Sequence, residues 1–155
     1  MKSLKECISR QVAINSLALD NITEHFKKRD LRKGAFLLQA NYLCREMAFI
    51  ESGYLRMFAQ AEGREITFWI GSSGKFITSL SSFVFESPNF WNIQAVTDCT
   101  IWVIKRHDHF ELLKKEPIWL EFDNNLLAHS FALLEKSMFA HLHTTALQRL
   151  QTLLR

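Results

Sequence analysis

Cysteine is scarce and poorly placed for chemistry. The chain holds three, Cys7, Cys44 and Cys99, an odd number set far apart. This fits neither a disulfide framework nor the paired spacing of a zinc or iron–sulfur site, so all three read as reduced packing residues and no metal or cofactor is expected. No apolar stretch reaches the ~18 residues of a membrane-spanning helix. Met1 to Glu6 lacks the continuous apolar core of a secretory signal, so a cytoplasmic protein without membrane contact is expected. Charge of one sign is missing too. The 19 basic and 16 acidic side chains give +3 with no run of five like charges, so no nucleic-acid footprint is written into this piece. There is no G-x-S-x-G and no P-loop, and no enzyme is expected. The pairs His107-x-His109 and His141-x-His143 fall on predicted helix or hinge rather than on facing strands, and read as solvated histidines.

What is present is enough apolar material, 48% of 155 residues, for one domain core plus an extra element. The chain divides into three zones by period. Leu4, Ile8 and Val12, then Leu19, Ile22 and Phe26, recur at helical spacing and predict two short helices, with Asp20 as a cap within the stretch. From Arg29 to about Lys105 come short runs rich in β-branched and aromatic residues. They are closed by Gly34, Asn41, Gly53, Gly63, the 71–74 cluster, Pro88-Asn89 and Asp98. Alternation over 54–58 and 65–70 and the buried run 101–104 argue for a sandwich, jelly roll or barrel.

After Lys105 the helical period returns. A short helix covers Arg106 to Leu113, and Pro117 stands where a new helix places its first residue. Leu120, Asn124, Leu127, Phe131, Leu134, Met138 and His141 then form an a/d seam, and Trp119, Phe122, Leu126 and Leu133 form a second stripe. Two stripes require two partners. One is assigned to the β domain and the other to a second subunit, with Asn124 fixing register; the alternative is one wide stripe packed inside a single chain. His141 to Thr145 reads as a break capped by Thr144 or Thr145. Beyond it Ala146, Leu147, Leu150, Leu153 and Leu154 begin an amphipathic face that points to a further domain.

Order and motifs resemble the Crp/Fnr family over nearly the whole chain. The segment 27–38, with Gly34 at its turn, resembles the family's first strands, and 49–56, with Gly53, resembles its "FI..G.lR" hairpin. Both glycines stand where a tight turn needs positive φ. Gly63 to Thr67 and Gly74 to Ile77 resemble the approach to the phosphate-binding cassette, and Ser82-Phe83 with Pro88 resembles the Bacteroidetes-type variant of it. Thr145 to Leu150 resembles the first helix of the winged helix-turn-helix.

The resemblance implies a mainly β fold with flanking helices: a double-stranded β-helix (jelly roll, cyclic-nucleotide-binding-domain-like) with a long C-terminal dimerisation helix. Its parts are a β-roll effector domain with N-terminal helices over 1–116, a dimer helix over 117–143, and over 144–155 the start of a DNA-binding domain otherwise absent. It implies a bacterial, homodimeric transcription regulator that reaches DNA through that domain, with an effector of unknown identity or none. The alternative is a stand-alone ligand-binding module of the same fold.

The implied pocket comprises Gly74, Lys75, Phe76, Ile77, Thr78, Ser82, Asn89, Phe90, Leu134 and Glu135. A cyclic nucleotide wants an arginine for its phosphate and a carboxylate for its ribose. The alignment offers Lys75 for the acid, Asn89 for the arginine, and Leu134-Glu135 for the Thr-Ser that relatives turn to the base, so no response to cyclic AMP is expected. Lys75 with the hydroxyls of Thr78, Ser79, Ser81 and Ser82 offers a site for some other anion, but the favoured reading is that these residues solvate a loop. Phe76, Phe83, Phe85, Phe90 and Trp91 are expected to fill the pocket or to receive an apolar ligand.

Overall fold

A computed structural model describes residues 3–153, with side chains described through 140 and at Leu142. Two short helices open the chain, α1 (Leu4–Gln11) and α2 (Ser16–Thr23). Their N-caps are Ser3, which forms a reciprocal capping box with Glu6, and Asn15, whose side chain accepts from Ala18 N. Asp20 is therefore not a cap. It lies inside α2, where its carboxylate meets Lys5 at 2.6 Å.

Eight antiparallel strands follow: β1 (Lys27–Leu31), β2 (Phe36–Leu38), β3 (Glu46–Ser52), β4 (Leu55–Ala61), β5 (Arg64–Gly71), β6 (Phe76–Ile77), β7 (Asn92–Ala95) and β8 (Cys99–Lys105). They form two four-stranded sheets, β1-β8-β3-β6 and β2-β7-β4-β5. A short helix, α3 (Leu80–Phe85), interrupts them between β6 and β7, and α4 (Arg106–Lys115) and α5 (Pro117–Leu153) close the chain. This is the jelly roll with flanking helices and a long final helix that the sequence leads one to expect. No helix among the described residues is long and apolar enough to cross a membrane.

The central strands of the first sheet, β3 and β8, are buried on both faces. Ala48, Ile50, Ile77, Ile101 and Val103 point between the sheets, against Leu55, Met57 and Ile93. Their neighbours Met47, Phe49 and Ile104 point the other way, into a second core built with Ile8, Ile22, Phe26, Leu112, Trp119 and Phe122. Two-faced burial explains why 47–50 and 101–104 read as unbroken apolar runs. The second sheet has a wet outer face, and its edge strand β5 leaves Ile66, Phe68 and Ile70 exposed. The alternation read over 65–70 is real but its apolar side is not buried. A register shift at Met57/Phe58 accompanies it, leaving Phe68 opposite no residue of β4.

α5 begins at Pro117 and runs unbroken to Leu153, so the break expected over 141–145 is absent. Neither glycine nor proline falls there to end the helix. Seam position His141, the proposed caps Thr144 and Thr145, and the apolar face from Ala146 onward lie outside the described side chains. Of the second stripe, Trp119 and Phe122 are fully buried and Leu126 packs against the same core, whereas Leu133 is exposed. Every residue from 127 to 140 is exposed, so the seam is not packed inside this chain.

Gly34 and Gly53 both have positive φ, +85° and +88°. They differ in surroundings. A Cβ at Gly34 meets nothing within 4 Å, whereas at Gly53 it would lie 2.4 Å from Asp98 O and 2.6 Å from Cys99 Sγ. Gly34→Ala is expected to cost about 1 kcal/mol of unfolding free energy from backbone strain alone, and Gly53→Ala roughly 3 kcal/mol or more because backbone must also move. Urea unfolding of the two variants measures the difference.

Candidate effector site

The segment from Gly74 to Trp91 connects β6, α3 and β7, and three of its polar side chains, Ser79, Ser82 and Asn89, are buried. Gly74, at φ +86°, donates its N–H to Ile50 O at 2.8 Å, and Ile50 N donates back to Lys75 O at 2.9 Å. This closes the turn onto β3. The Lys75 side chain is exposed. Phe76 packs against Phe49 and Phe122 at centroid distances of 5.2 and 5.5 Å, and Ile77 is buried in the inter-sheet core.

The hydroxyls diverge rather than converge on Lys75. Thr78 Oγ1 donates to Glu46 O at 3.0 Å and lies 3.2 Å from Cys44 Sγ. Ser82 Oγ, fully buried, accepts from Cys44 N at 2.9 Å. Ser81 is exposed. Ser79, the N-cap of α3, is buried with a hydroxyl that has no hydrogen-bond partner. An orphan hydroxyl is costly. The sequence shows Ser79 as one serine among several and gives no sign of its isolation.

Asn89 stands where the resemblance places the phosphate-binding arginine. It is 3% exposed, and its hydrogen bonds go to the backbone. Nδ2 donates to Gln39 O at 3.0 Å and to Tyr42 O at 3.2 Å, while Oδ1 accepts from Trp91 N at 2.6 Å. Asn41 N donates to Asn89 O. The amide thus ties the 39–42 loop to the entry of β7, and neither polar atom of its side chain faces a ligand. The aromatics divide. Phe76 and Phe83 are packed in the helix-side core, but Phe85 and Phe90 are 78% and 61% exposed. Phe90, Trp91 and Phe68 form a stack with centroids 4.3 and 4.9 Å apart. Leu134 and Glu135 are exposed on α5, and neither is buried against the segment.

Sequence reasoning missed the groups that fasten α3. The Arg106 guanidinium donates to Phe83 O at 2.6 Å and Val84 O at 3.1 Å, meets Glu86 at 3.4 Å and covers the Phe110 ring at 4.6 Å. It satisfies carbonyls that the end of a short helix leaves open. His109, one turn on, is 3% exposed, so it is not a solvated histidine. Its ring packs on Phe83 at 5.3 Å. Burial, and secondly the charge of Arg106, push its pKa down to about 4. His107 is exposed, and the two histidines do not converge. The signal available in the sequence was the spacing: 106 and 109 share one face of α4 with Leu112 and Leu113.

A family model described as "Cyclic nucleotide-binding domain" matches residues 28–116. No curated protein matches the chain. Solved structures do. A cyclic nucleotide-binding domain from Methylobacillus flagellatus KT aligns with a TM-score of 0.78 at 14% identity, covering 90% of this chain and 80% of that one. The catabolite activator protein of Thermus thermophilus aligns with a TM-score of 0.69 at 21% identity, covering 83% of this chain; the alignment spans 61% of that protein. The N-terminal domain of a transcriptional regulator from Streptomyces coelicolor A3(2) gives 0.61 at 18% identity, covering 81% and 87%. At such identities the likeness is one of fold.

Arg106→Ala is expected to destabilise the chain by about 2 kcal/mol, because it leaves two carbonyls without their charged donor. It should also speed amide hydrogen exchange across 80–86 more than elsewhere. Arg106→Lys, which cannot fork between two carbonyls, should recover less than half of the loss. Hydrogen-exchange mass spectrometry with parallel urea titrations checks both.

Proposed function

The chain belongs to the cyclic nucleotide-binding domain family, and on that premise we propose that it is the effector and dimerisation part of a Crp/Fnr-like transcription regulator that does not respond to cyclic AMP. The observation that carries the dimer is α5. One apolar stripe docks it on the roll through Trp119 and Phe122, while Leu120, Leu127, Phe131, Leu134 and Met138 line a seam left exposed on the same helix. A heptad seam open to solvent over more than two heptads calls for a partner helix, and a second copy of the same helix is self-complementary. Asn124, exposed at a seam position, would set the register.

Insensitivity to cyclic AMP is supported by Asn89, whose side chain is engaged by Gln39, Tyr42 and Trp91. DNA would be reached through a domain beyond α5, and its spacing across two half-sites would follow the angle between paired α5 helices. The Thermus and Streptomyces neighbours, an activator protein and a regulator's N-terminal domain, support that reading. The second reading is a ligand-binding module without a DNA-binding part; the Methylobacillus neighbour, described only as a cyclic nucleotide-binding domain, fits both. Both readings assign the chain to the cytoplasm and to binding rather than catalysis.

Calorimetric titration of the purified protein with cyclic AMP and cyclic GMP is expected to give no binding heat, and sedimentation of the same sample a dimer mass. Micromolar binding would overturn the assignment of Asn89. Phe131→Asp places a charge on the seam at a residue 63% exposed in the single chain. It should convert the dimer to monomer while leaving the melting of the roll within about 1 kcal/mol of the parent. A monomeric parent would end the dimer reading.

A further inference from the structure

His109 lies where α3, α4 and α5 meet. Its ring packs on Phe83 of α3, on Phe110 of its own helix and, edge to face at 5.8 Å, on Trp119 in the first turn of α5. Trp119 donates its Nε1–H to His109 Nδ1 at 3.3 Å. Nδ1 is therefore the bare nitrogen, and the ring proton sits on Nε2, 3.7 Å from Asp123 Oδ1 one turn further along α5. Trp119 is fully buried and stacked on Phe122 at 5.0 Å, so this hydrogen bond fixes the anchor of the whole helix. The charged groups acting on the ring are Asp123 from α5 and Arg106 from α4. α3 presents only the Phe83 ring, and Glu86 beyond it is held by Arg106.

We propose that this junction is a proton-operated latch between the cassette segment and the dimer helix: a proton added at His109 Nδ1 removes the acceptor of the Trp119 indole, turns the imidazolium to Asp123, and loosens the start of α5 from the roll. One proton is taken from solvent and only hydrogen bonds change. The regulatory consequence rests on the reading of α5 as the output helix; the latch itself is local.

Near neutral pH the imidazole is uncharged and the latch is closed, because burial and Arg106 hold the ring near 4 against an ordinary 6.5. In the open state the ring is solvated and titrates near 6.5 again. The closed state therefore binds fewer protons than the open one between these values. Its advantage is complete above 6.5 and is lost as pH falls toward 4, by up to about two orders of magnitude in the opening constant. Asp123 acts in the opposite sense. Burial raises its pKa, so the closed state takes up that proton more readily and recovers part of the loss at the acid end.

The test is NMR on the full chain from pH 7.5 to 4, following the Trp119 indole ¹H–¹⁵N signal and the His109 ring together. In the parent, both should move with one midpoint below 6.5, and amide exchange over 118–123, corrected for its intrinsic pH dependence, should rise at least tenfold. His109→Asn keeps an acceptor near the Nδ1 position but does not titrate, and should hold the indole signal still. Asp123→Asn, which preserves shape and removes the imidazolium's partner, should lower the midpoint further. An indole signal that stays fixed while His109 protonates, or that moves equally in His109→Asn, overturns the latch. If His109→Asn does not fold, an unchanged midpoint in Asp123→Asn overturns it instead. Sedimentation at each pH separates the readings: a monomer at every pH with a moving indole signal sinks the dimer reading and leaves the latch.

Discussion

Two-sided burial of β3 and β8, the central strands of the sheet β1-β8-β3-β6, is the constraint from which the rest of the molecule follows. A sheet with polar residues on one face needs only one cover. This one carries Ala48, Ile50, Ile101 and Val103 on one face and Met47, Phe49 and Ile104 on the other. The second sheet covers the first set. The second set would stay wet unless helices closed over it, and at about 25 cal/mol per Å² of apolar surface that exposure is not sustainable. The helices at both ends of the chain, α1 and α2 before the strands and α4 and α5 after them, therefore meet on one face. Asn125 of α5 reaches Gln11 O of α1 at 3.4 Å.

The cassette segment lies across the edge of this arrangement, and its backbone is satisfied from within the protein. Cys44 N reaches Ser82, Asn89 holds the 39–42 loop, and Arg106 closes the end of α3. In a binding site that depends on its ligand, donors near the phosphate await an external partner. Here the donors of Asn89 and Arg106 already have partners inside the chain. Beside them, Phe68 and Phe90 are exposed and stack on the partly buried Trp91.

The fold was legible because its signals are periodic and long. The apolar runs at 47–50 and 101–104, the turn glycines at 34 and 53, and the proline at 117 each have a single physical reading, and the structure contains the element each implies. The site was less legible for a physical reason. Asn89 and Arg106 act on main-chain carbonyls, which carry no sequence signature, and His109 differs from the exposed His107 only in which face of α4 it occupies. Period alone predicts that face only when the helix boundaries are known. β5 misled in the opposite way, since Ile66, Phe68 and Ile70 alternate like a half-buried strand yet are exposed on a sheet edge. The unbroken course of α5 past 141 shows the same limit: threonines that cap helices also continue them when no glycine or proline intervenes.

The two stripes of α5 link these observations. Residues 127–140 are all exposed, yet they include Leu127, Phe131, Leu133, Leu134, Met138 and Phe139, and a helix of that kind gains little from propensity alone. Its persistence depends on its anchored first turns and on whatever covers the seam. No break separates the two: Trp119 and Phe122, which sit on the roll, and Leu127 and Phe131, which are exposed, belong to one continuous helix. The contacts of Trp119 with His109 and of His109 with Phe83 place the cassette segment at the near end of that helix. The link between the cassette segment and α5 is thus made of the same packing that covers the helix-side face of β3 and β8.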